Sequence, residues 1–340
     1  MEQAHSVLFV GDGGNPQILR GIMLDREVEL HALVRPASVA MPLLLRHIEY
    51  FRLATYAVFS RRRYDALFIW QQYVGIYYYL ISIIFPFYNR PCCVYYFIYR
   101  AEKGSIVSHV KGYLLARMAN SKFVQKAIIL SRCDALYSKI NAEKRMQFST
   151  YTEKSSYIEN RIRQNIKVYG SDYFSGGWSN RDYFAVKRLA EMMGDKKFSV
   201  ACLPKDKIQI SPIPGNMQVY CDAFGETFED LILSSKAVIL PIEDLNVTSG
   251  QIVCLRALQS AKPVFMTRNN FIADWMPDIE SVRFLVMYDR LEELHAILSS
   301  LTDEDLRELG VQAREYYLSH FDEYPFYRGI ADVIESGLLF

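Results

Sequence analysis

The chain has 340 residues, 51% of them hydrophobic and 23% charged, a composition that excludes a disordered protein and suits two domains of ordinary size. The formal net charge of +1 conceals an asymmetry, since residues 1–150 carry 19 Lys and Arg against 10 Asp and Glu, whereas residues 151–340 carry 20 against 28. The basic half suggests an anionic partner, such as nucleic acid, a phospholipid surface or a phosphorylated substrate; the alternative is two oppositely charged domains that attract each other.

Short apolar segments alternate with helical patterns along the first half of the chain. Strands are predicted at SVLFV, VELHALV, YDALFIW and CCVYYFIY, and helices from about Pro16 and through LLLRHIEYFRLATYAV. The segment Tyr73–Tyr88 is too short for a spanning helix and contains Pro86, which predicts a helix that is buried or touches a membrane. The alternation indicates a parallel sheet in a doubly wound α/β domain.

The first predicted strand runs into a glycine-rich loop. Gly13 and Gly14 precede Asn15, a candidate N-cap, and Pro16, at the first helical position. A phosphate or sugar has room at this backbone, but a plain turn explains the glycines equally well, because the dinucleotide fingerprint and the P-loop are both incomplete.

Two features predict the compartment. The first strand begins almost at the N-terminus, without the layout of a signal peptide. The six cysteines show no CxxC or CxxH spacing, so they predict buried, reduced thiols and neither a zinc site nor a disulfide framework. We therefore expect a cytoplasmic protein.

The segment Arg100–Arg132 is strongly basic, with seven Lys and Arg against Glu102. Apolar residues recur in it at helical spacing: Ile106, Val110, Tyr113, Leu114 and Met118. This pattern predicts a cationic helix lying on an anionic membrane, where it would be a peripheral attachment; the alternative is the solvated basic face of an ordinary core helix.

The second half repeats the α/β pattern after a polar stretch at residues 141–164. Strands are predicted within KVYGSDYFSGG, FSVACL, MQVYCD, AVILPI and PVFMT, with a helix from Asn180 to Met193 and another through QIVCLRALQ. The predicted domains are residues 1–164 and 165–318. Two such domains in series predict a ligand in the cleft between them, at the carboxyl ends of strands.

The loop FSGGWSNRDY follows the first of these strands. Gly177, a candidate donor-binding residue, follows the predicted strand, and Ser179 with Asp182 forms a capping-box pattern. Arg181 is thereby predicted in the first helical turn, where a cation is unfavourable unless an anion is nearby. The alternative is an arginine paired with Asp182 or another acidic neighbour.

The segment TSGQIVCLRAL delivers Ser249, Gly250 and Gln251 to a helix N-terminus, where free N–H groups and the helix dipole favour a pyrophosphate. Arg256 stands seven residues after Ser249, close to two helical turns, and is long enough to lean back towards that ligand. The alternative for Arg256 is a buried ion pair with an acidic residue such as Glu243 or Asp244.

These segments resemble the donor domain of the GT-B glycosyltransferases, in particular the family 4-like members (glycosyl transferases group 1). FSGGWSNRDY is similar to that family's first strand–loop–helix, and SGQIVCLRALQSAKPVFMT to its sugar-nucleotide segment. The resemblance covers about residues 165–320, and the first half only in its order of elements. It implies an α/β protein with two Rossmann-like domains facing a cleft, and a last helix in residues 319–340 that crosses back to the N-terminal domain.

The resemblance also implies site residues. Gly250 would cradle the donor diphosphate, with Ser249 and Gln251 flanking it and Arg181 offsetting its charge. Thr248 and Arg256 stand where the family often has two glutamates. His109 would contact acceptor or donor sugar, the alternative being a structural histidine.

The sequence thus predicts a glycosyltransferase that moves a sugar from a nucleotide diphosphate sugar to a saccharide or lipid-linked acceptor at the cytoplasmic membrane face. By resemblance it would retain configuration and need no metal or other cofactor. The first alternative is a catalytically inactive GT-B module that acts as a scaffold or regulator, as the missing glutamates suggest. A nucleic-acid binder is disfavoured, because no recognised binding motif is present.

Overall fold

The computed structural model describes residues 5–35, 41–86, 92–95, 106–129, 139–147, 152, 154–164, 170–245, 248–269, 271–276 and 278–338. Their contacts divide the chain into two compact units. The first unit is Met1–Thr150 with Glu323–Phe340, and the second unit is Tyr151–Asp322.

The first unit is built on a parallel sheet in the order β2-β1-β3-β4-β5-β6. Its strands are β1 (His5–Gly11), β2 (Val28–Val34), β3 (Ala66–Ile69), β4 (Cys92–Tyr95), β5 (Val124–Ile129) and β6 (Arg145–Gln147). The helices are α1 (Pro16–Leu24), α2 (Leu43–Ser60), α3 (Gln72–Ile84) and α4 (Ile106–Ala119). The predicted parallel α/β domain is confirmed.

The helix that ends the described chain belongs to the first unit. This helix, α12 (Glu323–Leu338), packs on α1 and on β3, where Tyr327 stacks on Trp70 at a centroid distance of 6.1 Å. Arg26, just after α1, pairs with Asp332 at 2.6 Å and with Glu335 at 2.7 Å. The chain therefore returns to its first unit after completing the second.

The second unit has a parallel sheet in the order β12-β11-β10-β7-β8-β9. Its strands are β7 (Asp172–Gly176), β8 (Lys197–Ala201), β9 (Met217–Tyr220), β10 (Ser235–Leu240), β11 (Val264–Thr267) and β12 (Leu285–Tyr288). Counted within the unit, this is the Rossmann order 3-2-1-4-5-6. Short β-branched and aromatic segments form these strands because both faces of a parallel sheet are covered and take apolar residues throughout.

The helices of the second unit lie between and after these strands. They are α5 (Ser156–Arg163), α6 (Tyr183–Met192), α7 (Pro204–Gln209), α8 (Glu226–Leu233), α9 (Gln251–Gln259), α10 (Leu291–Ser300) and α11 (Asp303–His320). The segment at residues 141–164 differs from the polar separator that the sequence predicts: it contributes β6 to the first sheet and α5 to the second unit.

The helix α4 combines two faces in one segment. Leu115 and Met118 are fully buried, and Leu114 packs against the same core, whereas Ile106, Val110 and Tyr113 are exposed. The predicted single apolar stripe is therefore split between core and surface. Among the described residues, no helix combines the length and the apolar character that crossing a membrane requires.

Candidate functional site

The strand order of the second sheet reverses between the neighbouring strands β7 and β10. In open parallel sheets, ligands bind at the carboxyl ends of the two strands that flank such a reversal. The loop after β7 carries Gly177 and Arg181, and the segment after β10 leads to Ser249 and Gly250 at the start of α9. The topology thus directs the predicted donor-site residues to one edge of the sheet.

The loop after β7 requires glycine. Gly177 has φ of +139°, and a Cβ there would lie 2.9 Å from Nε of Arg181. The Tyr183 hydroxyl donates to the carbonyl oxygen of Gly177 at 2.6 Å and so fixes the turn. A side chain at position 177 would therefore displace the arginine.

The helix after this loop begins later than the sequence predicts. Its N-cap is Asp182, whose Oδ1 accepts from the backbone N–H of Ala185 at 2.9 Å. The predicted capping box at Ser179 is therefore wrong, because the backbone turns helical only at Tyr183. Arg181 precedes the helix, where its side chain is free of the helical rotamer restrictions and reaches across the loop.

Arg181 is held by neutral acceptors. Its Nε donates to the carbonyl oxygen of Gly176 at 3.1 Å, and its Nη1 donates to Oγ of Ser249 at 2.9 Å and to the carbonyl oxygen of Ser179 at 3.1 Å. Burial lowers the pKa of the guanidinium below its usual value. Among the described residues, no carboxylate forms an ion pair with Arg181, so the expected alternative of pairing with Asp182 is wrong. A cation in such surroundings favours an anionic ligand.

The N-terminus of α9 adjoins this arginine. Gly250 caps the helix in the left-handed conformation, with φ of +89°, and a Cβ there would lie 3.2 Å from Cε of Met266 and 3.6 Å from Nη2 of Arg181. The first N–H groups of a helix have no intrahelical partner, and they form the positive end of its dipole. Arg181, Ser249 and Gly250 thus lie next to one another. Their contact with a diphosphate stays a prediction.

Two buried polar groups near these loops have no hydrogen-bond partner among the described residues. One is Nε2 of Gln251, the first residue of α9, which is 7% exposed. The other is Oγ of Ser175, the residue before the end of β7, which is 1% exposed. Leaving such groups unpaired costs about 1–3 kcal/mol each, which a polar ligand would recover.

Arg256 lies on α9 but is engaged elsewhere. Its Nη1 forms an ion pair with Oε1 of Glu229 on α8 at 2.7 Å, and both side chains are largely buried. The ion-pair alternative is therefore present, with Glu229 as the partner in place of Glu243 or Asp244. Thr248 is half-buried beside Ser249. A contact of Thr248 or Arg256 with a nucleotide stays a prediction.

In the first unit the predicted glycine loop packs on an aromatic ring. Gly14 has φ of +79°, and a Cβ there would lie 2.9 Å from Cδ2 of Trp70. Asn15 caps α1 through a 3.4 Å hydrogen bond from the N–H of Ile18, which confirms the predicted helix start. The close approach to Trp70 is itself a reason for glycine here, and ligand binding by Gly13 and Gly14 stays a prediction.

A polar cluster that the sequence analysis missed lies at the reversal point of the first sheet, between β1 and β3. Asp12 follows β1 and Gln71 follows β3 shortly after Trp70. The Tyr50 hydroxyl donates to Oδ2 of Asp12 at 2.9 Å, and Nε2 of Gln71 donates to the same oxygen at 3.4 Å. Burial raises the pKa of Asp12 above its usual value, although both hydrogen bonds oppose the shift. The position of Asp12 and Gln71 directly after predicted strands was the available signal.

His47, which the sequence analysis did not select, lies beside this cluster and is surrounded by aromatic rings. His47 lies edge-on to Tyr50 and Tyr73, with Nδ1 at 3.1 Å from the Tyr77 hydroxyl. Burial, together with the charges of Lys111 and Arg46, lowers the pKa of His47. His109 is exposed on α4.

Comparisons with known proteins give matches in structure. No protein-family model and no curated protein matches the sequence. The apo structure of OtsA superposes with a TM-score of 0.60 at 8% identity, covering 98% of this chain and 99% of OtsA. TarM superposes with a TM-score of 0.54 at 13% identity, covering 85% of this chain and 58% of TarM. The UDP-GlcNAc 2-epimerase of Methanocaldococcus jannaschii superposes with a TM-score of 0.50 at 11% identity, covering 98% and 99%.

These superpositions span both α/β units with their parallel sheets. The chain has the GT-B fold. At such low identities the likeness establishes the fold alone. Among those described, no group of three or more His, Cys, Asp and Glu side chains is arranged to hold a metal ion.

Proposed function

We propose that this protein is a glycosyltransferase that moves a sugar from a nucleotide diphosphate sugar to a saccharide or lipid-linked acceptor. The observation that carries the proposal is Arg181, a half-buried cation without a carboxylate partner among the described residues, hydrogen-bonded to Ser249 beside the N-terminus of α9. A diphosphate supplies the missing anion, and its oxygens accept from the N–H groups of Gly250 and Gln251 and from the unpaired amide of Gln251. The M. jannaschii epimerase, by its name, acts on such a nucleotide sugar.

The proposed chemistry places the protein's positive groups at the leaving diphosphate. Negative charge accumulates on the diphosphate as the bond to the sugar breaks, and Arg181 with the helix dipole of α9 stabilises that charge. We propose transfer with retained configuration and without a metal ion, whose role these groups take. Asp12 and His47 lie by the reversal point of the first sheet, and we propose that they contact the acceptor. For His109 the resemblance implied contact with the acceptor or the donor sugar.

We also propose that the protein is located at the cytoplasmic face of a membrane. The positive excess of the first half attracts anionic lipid, and a lipid-linked acceptor requires such a location.

Nucleotide binding tests the donor site. Titration calorimetry with UDP, GDP, ADP and CDP is expected to reveal saturable binding of at least one, in the presence of chelator. Arg181→Gln is expected to weaken that binding by about 1.5–3 kcal/mol, the range for a charge-assisted hydrogen bond. Arg188→Gln is the matched control, because Arg188 lies on α6 with a largely exposed side chain. Equal affinity in the Arg181 variant and the wild type would contradict the proposal.

Turnover separates the enzyme from the inactive module. A panel of sugar nucleotides is incubated with the protein, and hydrolysis or transfer is measured with chelator and with added manganese. An enzyme of the proposed kind releases nucleoside diphosphate under both conditions. Binding without turnover of any sugar nucleotide would indicate the scaffold, and turnover only with manganese would refute metal independence.

A further inference from the structure

Large apolar side chains are exposed together on two neighbouring helices of the first unit. On α2, Leu44, Ile48, Phe51 and Phe59 follow a helical spacing and are between 44% and 73% exposed. On α3, Ile83 and Ile84 are 50% and 70% exposed. Exposed apolar residues are ordinary when scattered singly, whereas a cluster marks a surface that meets a partner or a membrane. We call these six residues the α2–α3 apolar face.

Ring contacts join the two helices at this face. Phe51 packs edge-on to Tyr77 of α3 at a centroid distance of 5.7 Å, and Phe59 packs on Phe85 at 5.4 Å. The side chains of α2 and α3 therefore form one continuous surface, while the opposite sides of the same helices supply the core through residues such as Val58 and Tyr78.

The sequence segment that contains this face is positively charged. Residues 41–129 contain 12 Lys and Arg against three Asp and Glu, which accounts for the whole positive excess of the first half. Arg62 and Arg63 are exposed directly after α2, and Arg117 and Lys122 are exposed at and after the end of α4. The acidic Glu49 is engaged by Arg52 at 2.9 Å and Arg35 at 3.2 Å, so it does not oppose this field.

A groove of about 660 Å³ borders the face between α3 and α4. Ile83, Tyr113 and Phe123 line it with apolar surface, and Arg117 and Lys122 also line it. An apolar floor with cations beside it matches an acyl chain joined to a phosphate headgroup, since the chain takes the floor and the phosphate takes the cations.

We propose that the α2–α3 apolar face inserts into the interface of an anionic phospholipid bilayer, with the cations at Arg62, Arg63, Arg117 and Lys122 on headgroup phosphates. The inference deepens the proposed function, on whose membrane location it rests. The sequence predicted membrane attachment through the basic helix α4 alone, whereas this proposal attaches the protein through α2 and α3. The last apolar residues of α4 lie in the core, so they do not face a membrane. Lys126, within the basic segment, lies on β5 and donates to the carbonyl oxygen of Glu143.

Vesicle binding by the full chain tests the insertion. Vesicles of phosphatidylcholine mixed with phosphatidylglycerol are expected to bind the protein. The variant Leu44→Gln with Ile84→Gln is expected to bind these vesicles at least about tenfold more weakly than the wild type. The matched control is Val311→Gln with Leu318→Gln, since these residues of α11 are 55% and 57% exposed in the second unit. Equal loss in both variants, or loss in neither, would overturn the proposal.

Separate experiments test the contribution of the cations and the depth to which the α2–α3 apolar face inserts. Arg117→Gln with Lys122→Gln is expected to weaken binding and to reduce its dependence on salt, because screening acts over about 8–10 Å at moderate ionic strength. Equal binding of the wild type to pure phosphatidylcholine vesicles overturns the cationic part. Tryptophan emission of Phe59→Trp is expected to be quenched by lipids with brominated acyl chains more than that of the wild type, and no added quenching overturns insertion.

Dimer formation through the same face, and failure of the proposed sugar transfer, would each give a different result. If the Leu44 and Ile84 substitutions convert a dimer into monomers and neither form binds vesicles, a second copy covers the face and the proposal is overturned. Vesicle binding requires neither nucleotide nor acceptor, so its failure is distinguishable from failure of the proposed sugar transfer, which is measured on soluble nucleotides.

Discussion

At the scale of single residues, Gly177 and Arg181 depend on each other. The φ of +139° at Gly177 and the 2.9 Å approach of a Cβ to Nε of Arg181 leave no room for a side chain. We expect Gly177→Ala to lower the melting temperature and to weaken nucleoside diphosphate binding about tenfold, because the arginine is displaced. Calorimetry and thermal unfolding measure both effects.

Gly194→Ala is the control for this substitution. No heavy atom lies within 4 Å of a Cβ at Gly194, which follows α6. Its stability is expected to stay within about 0.5 kcal/mol of the wild type, with unchanged nucleotide affinity. A Gly177→Ala protein that matches this control would show that the loop has room for a side chain at position 177.

Arg256 and Glu229 form an ion pair whose role is structural in our interpretation. Both side chains are largely buried, with an N–O distance of 2.7 Å. Arg256→Met is expected to lower the free energy of unfolding by about 3 kcal/mol, because it leaves a buried carboxylate unpaired, and to leave nucleotide affinity unchanged. Urea unfolding and calorimetry provide the measurements.

The double variant Arg256→Met with Glu229→Leu completes the cycle. It is expected to be more stable than the sum of the single effects predicts, since neither charge is left alone. Loss of nucleotide affinity in a well-folded Arg256→Met protein would instead support the ligand contact that the sequence predicts.

At the scale of elements, polar contacts decide where α5 belongs. Glu159 accepts from both terminal nitrogens of Arg314 on α11, at 2.7 and 2.8 Å, and from Nε2 of Gln259 on α9 at 2.8 Å. The Arg314 guanidinium holds the pKa of Glu159 at about 2, below its ordinary value of 4.5. These contacts tie α5 to the second unit, although its sequence reads as a polar linker.

The pH dependence of stability tests this network. Because the folded pKa of Glu159 is lowered, its ionised form contributes stability above pH 4.5, and that contribution is lost as the pH falls towards 2. Glu159→Gln is expected to cost about 3 kcal/mol at neutral pH, and the difference from the wild type should shrink between those pH values. Urea unfolding across this range measures it, and a difference that does not change with pH would contradict the assignment.

At the scale of the whole molecule, the end of the described chain stabilises its beginning. Ile330 of α12 is fully buried within the first unit. Ile330→Ala is expected to cost about 2–5 kcal/mol and to raise amide hydrogen exchange in β1, β3 and α1, but not in β7–β12. Mass spectrometry of exchange localises the change.

A substitution in the other unit provides the mirror control. Leu294 of α10 is likewise fully buried, in the core of the second unit. Leu294→Ala is expected to raise exchange in the second sheet and to leave the first sheet protected. Equal effects of both substitutions on both sheets would show that the two units unfold together.

Local features of this protein were determined by the sequence itself. The alternation of apolar strands and helices predicted two parallel α/β units, Asn15 and Pro16 predicted the start of α1, and the segment at residues 248–251 predicted the start of α9. Backbone conformation and capping depend on residues a few positions apart, so a single sequence carries this information.

Only the tertiary structure decided which residues meet. Asp12 contacts Tyr50 and Gln71, and Arg256 contacts Glu229, through pairs far apart in the chain whose partners no spacing rule selects. Because α6 begins only at Tyr183, Arg181 lies before the helix and donates a hydrogen bond to Ser249. Likewise, periodicity showed that α2 and α3 are rich in apolar residues, but only packing decides which of them face the core and which remain exposed, because burial depends on neighbours from other parts of the chain.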